Sequence, residues 1–252
     1  MIGGSLPARD PSEGLEFYLD RRKKQDYSTA ATNRILQCLR RAFRIADVAW
    51  PKFSLPSEKD NISTQRYAPD QWKKILAALP DDGLRDFCQW SYVTGMRKGE
   101  ASKLTWDMCP EPHDVLHVPA DITKTGIARD IQQDGERAKI IQRCLKHRAI
   151  KAADGTSTTE RSKYIFHRDN GLMIYEFRRS WRTACRAAGV TGRFHDIRAT
   201  FATDGRKAGI PESVMMALGG WSTRAVFDRY NKIDSDDLRQ ARKKLDRARA
   251  NG

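Results

Sequence analysis

From Tyr67 onward most of the chain reads as helix, and the stretch DVLHVPADITKTGIARDIQQ at 114–133 breaks that pattern. That stretch is rich in short apolar and β-branched runs around the turn-forming Lys124-Thr125-Gly126. It confines this part of the chain to a mainly helical α+β domain with one small antiparallel sheet. Pro69 suits a first helical position ahead of DQWKKILAAL, and a second helix is expected over Gly83 to Val93. Gly95 then turns the chain into a third, near Arg97 to Leu104. Helices are expected again at about 135–150 and 174–188, separated by the strand-like Tyr164–His167, and then near 196–208, 212–217, 223–230 and 235–249.

The first 66 residues have a different character. Residues 1–12 are read as a flexible lead-in, and a helical segment is expected over 13–50. Its stronger helix runs from an N-cap at Ser28 to Ala49. Ile35, Leu39, Phe43 and Ala46 form its expected packing face, while Arg34, Arg40, Arg41 and Arg44 fall mostly on others. Residues 51–66 mix Pro, Ser and charge without periodicity and read as a linker, so the larger domain is placed at 67–252.

Charge narrows the partner. Lys and Arg total 46 against 32 acidic residues, a net +14 that favours a polyanion, nucleic acid first. A hydrophobic content of 39% is enough for a folded core, so this is no disordered basic tail. The five cysteines are scattered without a Cys-x-x-Cys pair, which suggests neither a zinc site nor a disulfide framework. No apolar run approaches the roughly 20 residues of a membrane helix, and no apolar signal core begins the chain. A soluble, cytoplasmic protein without membrane partners is expected.

The strings YVTGMRKGEASKLTW, ITKTGIARD, HDIRATFAT and ALGGWSTRAVFDRY occur in this order. Together they resemble the tyrosine recombinase (phage integrase) family over residues 67–231, and the ordered set carries the specificity. The resemblance implies the recombinase catalytic-domain fold, preceded by a short helical segment similar to part of a core-binding domain. It implies a catalytic set of Arg97, Lys124, His195, Arg198, Trp221 and Tyr230, with Glu100 as a supporting acid and Arg34, Arg40, Arg41 and Arg44 as DNA contacts. It further implies double-stranded DNA as partner, a homotetramer on DNA that is monomeric or weakly associated off it, and room for accessory DNA-bending proteins. Only about 65 residues precede the larger domain, so the core-binding segment is expected to be partial.

The side chains argue for the same chemistry. A phosphodiester under attack gathers charge on its non-bridging oxygens, which planar guanidinium groups such as Arg97 and Arg198 match. Tyr230 is the expected nucleophile, giving a 3′-phosphotyrosine, with Lys124 as acid for the departing 5′-hydroxyl. His195 would accept a proton near the phenol, and the Trp221 indole would donate to phosphate. No metal or cofactor is required. Single residues have plainer readings: Lys124 as an exposed hairpin lysine, with Lys151 and Lys163 as competitors, and His195 or Trp221 as cap or core. A type IB topoisomerase-like enzyme and a non-cutting DNA-binding regulator on the same fold stay open.

Overall fold

Ser28 starts a helix by accepting the Ala31 N–H at 3.3 Å, satisfying a donor the first turn would leave unpaired. The computed structural model describes residues 11–51, 55–57, 65–152, 154–233 and 235–250. Its chain divides into two units, 1–63 and 64–252. The lead-in before Pro11 and parts of the linker lie outside the described residues.

The first unit holds α1 (Pro11–Lys24) and α2 (Thr29–Ile45), α1 beginning slightly earlier than expected. The expected packing face of α2 needs correction. Ile35 and Leu39 are exposed, and the buried stripe is Thr32, Asn33 and Leu36. Polar bonds turn that side inward: Asn33 donates to the Pro56 carbonyl at 2.8 Å, and Arg22 donates to the Thr32 hydroxyl at 3.4 Å. Apolar residues occupy two faces of this helix, so periodicity alone could not choose between them. Arg34, Arg40, Arg41 and Arg44 are all exposed.

The second unit is built on α4 (Asp82–Thr94), capped by Asp81 accepting the Leu84 N–H at 2.7 Å. Leu84, Phe87, Cys88, Trp90 and Ser91 bury it on several sides, which marks a central helix. Around it pack α3 (Pro69–Ala77), α6 (Gly135–Lys146) and α8 (Ile197–Lys207). Trp72 of α3 stacks on Tyr92 at 4.4 Å and also meets Trp181 of α7 (Arg178–Ala187). The expected hairpin is present: β1 (Val115–Val118) pairs antiparallel with β2 (Arg129–Gln132), Val118 opposite Arg129.

Several expectations shift, the helices expected over 28–49, 174–188 and 223–230 being shorter, at Thr29–Ile45, Arg178–Ala187 and Arg224–Phe227. The third helix, α5 (Lys98–Ala101), is one turn rather than a run to Leu104. The helix expected over 135–150 stops at Lys146, and a second hairpin follows, β3 (Ala149–Lys151) with β4 (Ser157–Arg161). Both strands are largely exposed, so no alternation announces them; only Asp154-Gly155, with Gly155 at φ 85°, marks the turn. Tyr164 and His167 form isolated bridges to Thr105 and Met173 rather than a strand.

The chain ends in α9 (Glu212–Gly219), α10 (Arg224–Phe227) and α11 (Ser235–Ala250), the last without a buried residue. Ala202, Met215, Trp221 and Phe227 form a small second core, with Phe201 and Tyr230 packed against it. Gly205 lets α8 and α9 approach, since a Cβ there would sit 2.2 Å from the Met215 sulfur. This cluster fixes the floor of the site.

Candidate active site

Two glycine turns place one buried guanidinium. Gly95 ends α4 at φ 63°, and Gly219 ends α9 before Gly220 at φ 66°. Their freed carbonyls accept from Arg198 Nη1, the Gly219 contact at 2.9 Å. Arg198 is 1% exposed and lies 4.2 Å over the Trp221 ring. Burial, and then the neighbouring charge of Arg97, lowers its pKa to about 9, which still leaves it charged at neutral pH. Among the described residues its Nε and Nη2 have no partner, and neither has the buried Trp221 Nε1. Buried donors without acceptors are costly, so several such donors together describe a surface shaped for an anion.

Arg97 begins α5 in extended geometry and donates through Nη1 to Glu100 at 2.9 Å and to the Gly220 carbonyl at 3.1 Å. Glu100, 2% exposed, gives its other oxygen to Arg129 Nη2 at 2.8 Å. Burial opposes its charge, but hydrogen bonding and attraction from Arg129 and Arg97 prevail and hold the carboxyl below its usual range. The backbone N–H of Lys124 also reaches Glu100, at 3.4 Å. The Lys124 side chain is exposed and forms no hydrogen bond or ion pair with the described residues. Its competitors are otherwise engaged: Lys151 pairs with Asp169 at 3.0 Å, and Lys163 lies 5.1 Å from the Tyr164 ring.

Tyr230 lies in the turn after α10, its N–H donating to the Phe227 carbonyl at 2.8 Å. Its hydroxyl is 2.6 Å from His195 Nε2, and its ring is 5.4 Å from the Arg198 guanidinium. Crowding by protein atoms and then the Arg198 charge push the His195 pKa down to about 4, so this imidazole is neutral at physiological pH. The residues after Tyr230 are clamped. Arg206 donates to Asn231 Oδ1 at 2.7 Å and to the Lys232 carbonyl at 3.0 Å, and pairs with Asp237 at 2.7 Å.

Arg97, Glu100, His195, Arg198, Trp221 and Tyr230 therefore meet in one place, with the Lys124 backbone at its edge. Of the other tyrosines, Tyr67 is buried and Tyr175 is exposed, the latter beside Lys98 at 4.6 Å. Arg129 is a participant that the motifs did not reveal. The hairpin alternation carried the signal: Arg129 shares a strand face with Ile131, opposite Val118 and Leu116, and a cation on that inward face calls for a buried acid.

A model described as the phage integrase family matches residues 65–236. The chain belongs to the phage integrase family. Within it, the integrase of Salmonella phage P22 is 23% identical over 216 residues, covering 84% of this chain and 54% of that protein. The chain thus spans about half the length of that relative. Among solved structures, the Tn1549 transposon integrase in complex with transposon right end DNA superimposes with a TM-score of 0.70 at 20% identity, covering 96% of this chain and 87% of that one. XerH site-specific recombinase bound to its palindromic difH substrate gives 0.71 at 15% identity, with 94% and 72% coverage. A lambda integrase tetramer bound to a Holliday junction gives 0.66 at 19% identity, with 88% and 66% coverage. The family fold is therefore that of the described residues from 65 onward. No helix among the described residues is long and apolar enough to cross a membrane.

Proposed function

We propose that this integrase-family chain is a site-specific DNA recombinase that cuts and rejoins double-stranded DNA through a 3′-phosphotyrosine and a Holliday junction. The observation that carries the reading is the neutral His195 nitrogen 2.6 Å from the Tyr230 hydroxyl, beside the buried, partly unpaired guanidinium of Arg198. In this reading Arg97, Arg198 and the Trp221 indole donate to the non-bridging oxygens of the scissile phosphate. Tyr230 Oη forms a bond to phosphorus as the bond to the 5′-oxygen breaks. The phenol proton passes to His195, whose basicity rises when the phosphate's charge offsets the guanidinium groups. The Lys124 ammonium gives a proton to the departing 5′-oxygen, and a second transesterification reverses both transfers on a new strand. No cofactor enters this scheme.

Residues 13–50 would serve as a partial DNA-binding segment through Arg34, Arg40, Arg41 and Arg44, and 67–252 as the catalytic domain. Action in the cytoplasm and assembly as a tetramer on DNA are part of the proposal, supported by the DNA complexes named for the structural neighbours. To test it, duplexes are selected from a randomised library with Tyr230→Phe protein, nicked near the bound centre, and incubated with wild type. A covalent adduct mapped to Tyr230 is expected, absent from Tyr230→Phe at equal binding. No adduct on a bound, nicked duplex rejects cutting in favour of a DNA-binding regulator. Relaxation of supercoiled plasmid without strand exchange between sites would instead favour the topoisomerase-like reading.

A further inference from the structure

Glu100 joins its own turn of chain, which carries Arg97, to a hairpin that lies 24 to 29 positions further along the sequence. One carboxylate oxygen takes Arg97 at 2.9 Å and the Lys124 N–H at 3.4 Å, and the other takes Arg129 at 2.8 Å. Arg129 opens β2, and Lys124 lies in the turn that connects β1 to it. The Arg129 side chain is 11% exposed, unusually little for an arginine near the end of a two-stranded hairpin. Its Nη1 lies against Gly220, where an added Cβ would come within 2.6 Å, so β2 is seated on the same turn that receives Arg97.

From this geometry we infer that Arg129 is a positioning residue: by gripping Glu100 it latches the hairpin onto the arginine site and so sets where the Lys124 ammonium meets the leaving 5′-oxygen. The inference rests on the cleavage proposed above. The physical case is one of leverage. Lys124 is exposed and its ammonium is held by nothing else described, so its position depends on where the hairpin backbone docks. That docking is tied to Glu100 by the Lys124 N–H on one side and by Arg129 on the other. A buried carboxylate stripped of one partner shifts toward whatever cation is left, and the hairpin moves with it. Arg129 Nε and Nη1 are also buried without partners among the described residues, which offers a competing role, direct donation to phosphate.

Leaving-group chemistry separates the two. The selected duplex is prepared in two forms, one ordinary and one with sulfur replacing the bridging 5′-oxygen at the mapped cleavage point. When Tyr230 attacks the sulfur form, the phosphorus–sulfur bond breaks and a thiolate departs without needing a proton. Loss of the acid then no longer matters. Lys124→Ala is expected to slow the ordinary substrate on the order of a hundredfold and the sulfur substrate by less than about threefold. Arg129→Met is expected to follow it, slowing the ordinary substrate at least about tenfold and the sulfur substrate little, with duplex affinity unchanged. Arg198→Lys, which touches phosphate, is expected to be slow on both.

Equal slowing of the two substrates by Arg129→Met overturns the latch, and so does wild-type behaviour on both. If Arg129→Met does not fold, Arg129→Lys, which replaces the planar guanidinium behind the Nη2 contact to Glu100 by a single ammonium, is read by the same ratio. Failure of the wild type to form an adduct on either substrate rejects the cleavage proposal itself, an outcome distinct from failure of the latch.

Discussion

His195 Nε2 and the Tyr230 hydroxyl stand 2.6 Å apart, close enough to share a proton. The imidazole pKa falls from 6.5 to about 4 in the fold, so the folded state binds its proton less readily than the unfolded chain does. The stability this residue contributes is complete above about pH 6.5 and is lost as pH falls toward about 4. An NMR titration of His195 should show a midpoint well below 6.5, and urea unfolding should show the gap between wild type and His195→Gln shrinking over the same window. A midpoint at or above 6.5 contradicts this account.

Arg198 carries opposing stability effects. Its guanidinium satisfies the Gly95 and Gly219 carbonyls, yet the charge is buried near Arg97 and Arg129. Orphaned carbonyls cost about 1–3 kcal/mol each, and relief of a buried charge returns a similar amount. Arg198→Met should therefore unfold within about 2 kcal/mol of wild type while cleavage falls on the order of a hundred- to a thousand-fold. Sulfate should raise the wild-type Tm by a margin the variant lacks. Scanning calorimetry and single-turnover cleavage check both halves.

Two glycines with nearly equal backbone angles should respond differently. Gly95 sits at φ 63° with a Phe201 ring carbon 2.4 Å from an added Cβ, whereas Gly126 sits at φ 67° with nothing within 4 Å. Gly95→Ala bears both backbone strain and overpacking, about 2–4 kcal/mol, and Gly126→Ala the strain alone, about 1 kcal/mol. Equal losses in urea denaturation would remove Phe201 from the explanation.

Arg206 is not one of the phosphate donors named above, yet it holds Asn231 and Lys232 immediately beyond the nucleophile and Asp237 further on. Arg206→Ala should slow adduct formation about tenfold or more through misplacement of Tyr230, with duplex affinity preserved. Limited proteolysis should detect the loosened segment near residue 232.

The arginines of α2 proposed to meet DNA make a prediction about salt. Removing one side chain that neutralises a phosphate should flatten the dependence of log affinity on log salt by about 0.9. Replacing Arg40, Arg41 and Arg44 together by Ala should flatten it by roughly 3 if all three meet phosphate. Filter-binding at several salt concentrations measures the slope; an unchanged slope would leave these arginines as a solvated face.

Much of the fold was legible because local chemistry agreed with global placement: Ser28 caps a helix, Gly95 ends one, and the run around Lys124 makes a hairpin. The second hairpin escaped because both of its strands face water, and periodicity reports only a buried face. On α2 the failure was rotational. Ile35 and Leu39 have the spacing of a core stripe, but the Asn33 amide and its distant carbonyl partner decide which side turns inward. Within the candidate site, motifs located residues near their own helix starts and turns. They could not reveal Arg129, because its partner Glu100 lies 29 positions away and only the folded hairpin brings them together.

The carboxylate of Glu100 has an evolutionary consequence. Arg97, Arg129, the Lys124 backbone and, through its carbonyl and missing side chain, Gly220 all depend on that one group. A shorter acid would draw the three donors out of register, and a neutral one would strand two largely shielded cations. Variation at these positions is therefore tolerable only as concerted replacement, so divergence in sequence should concentrate on surfaces that meet a target while this small set drifts together or not at all.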